Sequence, residues 1–221
     1  SPEELRDTNG VRDRLTRIVG DALTVGGPIQ TGTGRQRVVA LVGPTGVGKS
    51  TAARLIAQAL LCDQPKTDGG CGGCAACQRV ATGNHADLHL VAPPEDKLDI
   101  PVEAVRNVQS ALGRTPVEGG ARVVLIDPAD RLNEQGQNAL LKTLEEPGQS
   151  TWFLLPTARV ERLLPTVRSR SARLAILPLG REAMVQALDR KKSLAPDARD
   201  WGVAVSGGSL GLALDLLEAD L

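Results

Sequence analysis

The sequence predicts an α/β unit built on a parallel sheet, followed by a small unit of helices alone. Three observations carry this. Short apolar runs alternate with stretches of helical periodicity as far as about Pro178. A complete glycine-rich loop lies between the first such run and a helix. Beyond Pro178 only helical periodicity remains.

Taken in order, residues 3–25 read as a helix with Leu5, Val11, Leu15, Ile18, Val19, Ala22 and Leu23 on one face. A Gly/Pro/Thr-rich loop from Gly26 to Gly34 follows. Arg37 to Val42 is a buried strand, and Ser50 to Leu61 has helical spacing. Residues 62–83 are rich in Cys and Gly with little periodicity. Leu88 to Val91 is a short strand, and Pro101 to Leu112 is a helix with Val102, Val105, Val108 and Leu112 on one face. Val123 to Ile126 is wholly apolar, as expected of a parallel strand covered on both sides. Asn133 caps a helix reaching about Glu146, where Pro147 ends it. Trp152 to Leu155 is another buried strand, and Val160 to Leu164 is helical. The final helices span 180–190, 196–205 and 209–219, with Pro196 and Gly207-Gly208 as breaks.

Composition limits the function classes. The chain has 221 residues, enough to bury a sizeable core. It contains 26 Lys+Arg and 26 Asp+Glu, so the formal net charge is zero. Nonspecific nucleic-acid binding runs on phosphate neutralisation, so a neutral chain is a poor autonomous DNA binder. Trp152, Phe153 and Trp201 are the only aromatics, too few for a single-strand binder built on base stacking. No apolar run approaches the ~20 residues that span a bilayer. The Ser1-Pro2-Glu3-Glu4 start lacks the basic and apolar regions of a secretory signal, so a cytoplasmic location with no membrane partner is expected.

The loop Gly43-Pro44-Thr45-Gly46-Val47-Gly48-Lys49-Ser50 has every fixed position of a phosphate-binding loop. Its backbone N–H groups can wrap phosphates, helped by the N-terminus of the following helix, where Thr51 also stands. Lys49 reaches the outer phosphates and Ser50 ligates Mg²⁺ in such a site. Asp127 closes an apolar strand, where a second carboxylate commonly completes the Mg²⁺ shell. The next residue is Pro128, which has no titratable atom to orient or deprotonate an attacking water. Asp130 and Glu134 lie nearby in sequence but, on a helix or turn, are expected to point elsewhere.

Cys62, Cys71, Cys74 and Cys77 are all the cysteines of the chain, spaced C-x8-C-x2-C-x2-C. Such spacing around tight glycine turns builds a tetrahedral Cys₄ zinc site with no open coordination position, hence a structural one. Two disulfides would fit a cytosolic protein poorly. His85 and His89 read as spare surface or loop histidines, because no helix is expected beside Pro93-Pro94. Arg159, Arg162, Arg168 and Arg173 read as a solvated face.

Several blocks then resemble a known family. Asn138-Ala139-Leu140-Leu141-Lys142-Thr143-Leu144-Glu145-Glu146-Pro147 resembles the hallmark block of bacterial DNA polymerase III clamp-loader subunits, members of the AAA+ class. The cysteine spacing is similar to their zinc module. Thr166-Val167-Arg168-Ser169-Arg170-Ser171 resembles their Ser-Arg-Cys motif, with Ser171 in the Cys position, and Ala86-Asp87-Leu88-His89-Leu90-Val91 also looks like this family. The resemblance covers roughly residues 36–215. It implies an AAA+ domain over 1–178 with the zinc module at about 62–83, and a helical lid over 179–221.

The ATPase type of this family, gamma/tau, carries Asp-Glu after the second apolar strand and an arginine in a Gly-Ser-x-Arg lid signature. Here those positions read Asp127-Pro128 and Gly208-Ser209-Leu210-Gly211. The chain is therefore similar to the delta-prime type, the stator. The resemblance implies ATP or ADP and Mg²⁺ bound with weak or absent turnover, and Zn²⁺ held by the cysteines. It implies that Arg170 reaches in trans to the ATP of a neighbouring gamma subunit, and that Thr157 stands where the family's sensor threonine feels the γ-phosphate. Pro156, where the family usually has Ala, makes the placement of Thr157 an expectation for the structure to decide. Implied partners are gamma/tau and delta, with the sliding clamp and primer-template DNA met through the assembled complex. The family's C-terminal collar is not in this sequence, so weak self-association and weak partner binding are expected. The competing readings are an active ATPase of gamma/tau type, a stand-alone P-loop enzyme, a P-loop GTPase of the signal-recognition type, and a zinc-ribbon DNA-binding module.

Overall fold

The computed structural model describes residues 29–31, 34–66, 69–118, 120–147, 150–191 and 195–219. The helix expected over residues 3–25 lies outside them, as does most of the loop expected over Gly26–Gly34. The described part of that loop is strand instead. β1 (Ile29–Thr31) pairs antiparallel with β2 (Gly34–Gln36). Strands of three residues carry too little alternation to be legible in sequence.

The main sheet comprises β3 (Val38–Val42), β4 (Leu88–Val91), β5 (Arg122–Ile126), β6 (Thr151–Thr157) and β7 (Ala172–Ala175). Its order is β4-β5-β6-β3-β7, and every neighbouring pair is parallel. The sequence reading missed β7. Its exposure alternates, with Arg173 outward and Leu174 inward, so as an edge strand in a basic stretch it resembled a solvated loop.

The three inner strands are buried along their whole length, and apolar except at Arg122, Thr151 and Thr157, because both sheet faces are covered. Val39, Leu41, Val123, Leu125 and Leu154 face one core, filled by Ala52, Ala53, Ile56 and Ala57 of α1 (Lys49–Leu60). Val38, Ala40, Val42, Val124, Ile126, Phe153 and Leu155 face the other. There they meet Val105 and Val108 of α3 (Val102–Leu112) and Leu140 and Leu144 of α4 (Glu134–Glu145). Each of these buried Val, Leu, Ile and Phe side chains contributes roughly 1.5–3 kcal/mol by transfer from water, and each Ala less. Between α1 and α3 runs α2 (Ala75–Thr82), a helix inside the cysteine-rich stretch where sequence periodicity showed none.

Asn133 caps α4 as expected, its side chain accepting from Gly136 N at 2.8 Å. Gln137, one turn in, is buried and pins two separate segments. Its amide donates to Leu132 O and Arg162 O, each at 3.0 Å, and its oxygen accepts from Leu164 N at 2.7 Å. The region expected to be helical over 160–164 is a single 3-10 turn, Val160–Arg162, leading into the short α5 (Pro165–Arg168).

After β7 come α6 (Arg181–Lys191), α7 (Pro196–Val205) and α8 (Leu210–Ala219), within a residue of the expected bounds. They bury their own cluster of Met184, Leu188, Val203, Ala213 and Leu217. No helix among the described residues is long and apolar enough to cross a membrane.

Candidate functional site

The glycine loop runs from the end of β3 to the start of α1. Gly48 stands at the helix N-cap with φ 92°, and no side chain caps the helix. The first N–H groups of α1 are therefore available to an anion, with the helix dipole behind them. Pro44, Thr45, Ser50 and Thr51 are exposed; Val47 is buried and anchors the loop in the core, and Gly43 is half-buried. Lys49 is only 9% exposed, and its ammonium donates to Pro44 O at 2.6 Å. Burial pushes its pKa below the ordinary 10.5, and the charges of Asp130 and then Asp127 push it back up.

Asp127 follows β5, with its N–H bonded to Val91 O at 2.9 Å. Pro128 comes next, joined by a cis peptide bond. Asp130, expected to point elsewhere, is turned towards the end of β6. It lies on the 3-10 turn Ala129–Arg131, and its Oδ1 accepts from Thr157 Oγ1 at 2.9 Å and from Ala158 N at 3.2 Å. The turn folds back against the end of β6, a contact between residues far apart in sequence that periodicity does not register. Glu134, by contrast, is exposed at the start of α4.

Thr157 occupies the last position of β6, in register with Val42 of β3. Pro156 does not displace it: β5 pairs with β6 only as far as Leu154, so the missing N–H falls beyond that ladder. The single proton of the Thr157 hydroxyl is already engaged within the chain. The hydroxyl donates to Asp130 and accepts from Arg159 N at 3.1 Å.

The helical region packs onto the loop. A Cβ on Gly46, whose φ is +79°, would lie 2.0 Å from Ser209 Oγ. Gly211 N donates to Gly46 O at 3.4 Å. Gly211 thus lies directly against the loop, with no side chain to offer it.

The four cysteines converge. All their sulfurs lie within 4.8 Å of one another. Cys62 and Cys74 sulfurs are 3.8 Å apart, and those of Cys71 and Cys77 3.9 Å. These are far beyond a disulfide's ~2.05 Å. They match the ~3.8 Å edge of a tetrahedron with ~2.3 Å metal–sulfur bonds. Backbone N–H groups already point at the sulfurs: Cys71 N and Gln64 N at Cys62, Cys74 N at Cys71, and Cys77 N at Cys74, at 3.2–3.4 Å. Donors from Gly73 and Cys74 hold the Cys71 thiol down at about 6, whereas burial pushes Cys62 and Cys77 up. Backbone donors on three of the sulfurs, in a closed set of four, fit a tetrahedral divalent ion. The cluster leans on α1, where Gln58 Nε2 donates to Cys77 O at 3.1 Å.

His85 is not a surface residue. It is 4% exposed, its Nδ1 accepts from Asp87 N at 3.1 Å, and its Nε2 lies 3.3 Å from Glu118. Glu118 also pairs with Arg79 of α2 at 2.7 Å, and both oxygens of buried Asp87 accept backbone N–H groups of Val117 and Glu118 at 2.9 Å. This network fastens the cysteine-bearing segment to the sheet. His89 is half-buried on β4, with burial and then Arg122 pushing its pKa down.

Arg170 lies between α5 and β7. Its Nη1 donates to Thr166 O at 2.9 Å and its Nη2 to Glu145 Oε1 at 2.5 Å. Ser171 Oγ donates to Val167 O at 2.8 Å. Arg159, Arg162, Arg168 and Arg173 are exposed, as a solvated face should be.

Comparison with known proteins gives a consistent answer. The profile of the family described as DNA polymerase III, delta subunit, matches residues 31–180. DNA polymerase III subunit delta' of Escherichia coli is 38% identical over 191 residues, which is 86% of this chain and 57% of that protein. Its counterpart from Pseudomonas aeruginosa is 41% identical over 170 residues, or 76% and 52%. The chain thus spans about half the length of the curated relatives it matches. Among solved structures, a Thermotoga maritima RuvB variant superposes with a TM-score of 0.62 at 18% identity, covering 96% of this chain and 61% of that one, a likeness of AAA+ fold alone.

Proposed function

The chain belongs to the DNA polymerase III delta-subunit family, and on that footing we propose that it is the delta-prime, stator-type component of a clamp loader. In this reading it holds ATP or ADP without turning it over and lends Arg170 to a neighbouring gamma/tau site. The observation that carries the reading is the residue after Asp127. Pro128 supplies no group that could take or orient the proton of a water. Asp130, the closest substitute, already accepts from Thr157 and Ala158.

Nucleotide would lie on the loop Gly43 to Ser50 and the start of α1, with Lys49 turning from Pro44 O to the outer phosphates. Ser50 and Asp127 would hold Mg²⁺, whose chemistry there is charge neutralisation between phosphates. Thr157 could address a γ-phosphate only by releasing Asp130. Zn²⁺ held by Cys62, Cys71, Cys74 and Cys77 would act as a cross-link with no open position for catalysis. Gamma/tau and delta subunits would be the direct partners, and the clamp and primer-template DNA would be met through the complex. A trans arginine stabilises charge developing on the transferred phosphoryl group and is worth roughly 10³–10⁵ in rate.

A second reading, an active ATPase of gamma/tau type, has one observation in its favour: Asp130 lies close enough to act on the charge of Lys49. One experiment separates the two. Nucleotide affinity and steady-state hydrolysis are measured for the wild type, Pro128→Glu and Asp130→Asn. Binding with negligible turnover, unchanged by Asp130→Asn, supports the stator. Robust turnover lost in Asp130→Asn supports the ATPase.

A further inference from the structure

Arg170 is held by two separate elements. Thr166, whose carbonyl takes Nη1, belongs to α5; Glu145, whose carboxylate takes Nη2, is the last residue of α4. We propose that Glu145 is the positioning residue of Arg170, fixing the guanidinium in the orientation in which it meets the neighbour's phosphate. This rests on the trans role of Arg170 proposed above.

The anchor is suited to the task. α4 is capped by Asn133, pinned at Gln137 and buried through Leu140 and Leu144, so Glu145 extends from a fixed support. A guanidinium has five N–H donors in a planar fork. Two are engaged here, which leaves three for a phosphate oxygen while the plane stays defined. Left alone, a long half-exposed arginine samples many rotamers, and holding it in advance removes that cost from the trans encounter.

A carboxylate beside a catalytic arginine could instead weaken it by neutralising its charge. Exposure decides between these effects. The side chains of Arg170 and Glu145 are 35% and 51% exposed, so solvent and salt screen their mutual charge. Orientation is not screened, and a misplacement of ~1 Å can cost on the order of 10²-fold in rate. Positioning therefore outweighs neutralisation, and removing Glu145 should slow the neighbour.

The test uses the full-length subunit assembled with its gamma-type ATPase neighbour and the remaining subunits, reading kcat and KM for ATP. Arg170→Ala should lower kcat by ~10³-fold. Glu145→Ala should lower kcat by ~10-fold with KM unchanged. Glu145→Gln, which keeps an acceptor oxygen, should recover most of the loss, and all variants should unfold at the wild-type temperature. Arg170→Ala combined with Glu145→Ala should be no slower than Arg170→Ala. If Arg170→Ala has no effect, the trans role fails and the inference with it. If Arg170→Ala is slow but Glu145→Ala is normal or faster, the inference alone is overturned. A further loss in the double variant also overturns it, because Glu145 would then act elsewhere.

Discussion

Lys49 and Arg170 are the two basic groups on which the proposed function rests, and their surroundings are opposite. Lys49 is buried, bonded to its own loop, and its charge is made costly by desolvation. Arg170 is a third exposed, always charged, and held through Nη1 and Nη2 by Thr166 O and Glu145. The difference teaches how, on the proposed roles, one AAA+ scaffold can separate holding a nucleotide from stabilising the charge that develops when a neighbour's is split. Charge kept within the chain is muted and enclosed, while charge offered at its surface is left strong and reachable.

The largest expected effect crosses the two residues over. In the assembled complex, Arg170→Ala should cut neighbour ATP turnover by ~10³-fold while leaving this chain's own nucleotide affinity intact. Lys49→Ala should do the converse, losing own-site affinity by ~100-fold or more and sparing the neighbour. Isothermal titration and coupled ATPase assays read both arms. Loss of both activities in either variant breaks the comparison.

Next comes the cysteine cluster, which touches only one side of it. Chelation should release about one zinc per chain and destabilise the fold by several kcal/mol. Because Gln58 joins α1 to Cys77 O, own-site affinity should weaken before any effect of Arg170 does. Metal analysis with thermal unfolding and nucleotide titration checks the order.

Gly46→Ala should be smaller. A Cβ there meets Ser209 Oγ at 2.0 Å and φ is +79°. The left-handed backbone alone should cost about 1–3 kcal/mol. Gly46→Ala with Ser209→Gly should recover the contact part of the loss and not the backbone part, as denaturant unfolding can show.

The smallest effect is the pH response of Lys49. Its folded pKa is below the unfolded 10.5. Between those two values the unfolded chain binds more protons, so this group makes stability rise with pH in that window. Lys49→Met removes the slope. The variant's stability advantage should therefore shrink as pH is raised towards 10.5, and an advantage that grows would mean the lysine is held charged.

Much of this was legible in the sequence because it is local. The loop Gly43 to Ser50, the Asn133 cap, the inner strands and the three final helices each declare themselves within a dozen or so residues. The convergence of the four cysteines follows from spacing alone. The rest depended on partners distant in sequence. Asp130 finds Thr157 only once β5 and β6 are adjacent, and buried His85 meets Glu118, 33 residues on, only in the folded chain. β7 hid because an edge strand with Arg173 outward has the composition of a loop. The Glu145–Arg170 bond joins two motifs that the sequence presents as separate signatures.

The contact between Gly46 and Ser209 also limits which sequences are reachable from this one. Adding a side chain at 46 is blocked from two directions, by the backbone angle and by the serine. Trimming 209 alone gains nothing while 46 stays glycine. Among related sequences the two positions should change together or not at all, with a larger residue at 46 accompanied by a smaller one at 209 and a relaxed turn between. The phosphate loop of a chain proposed not to hydrolyse nucleotide would then persist for a reason unrelated to nucleotide: its crest is the floor on which the final helices stand.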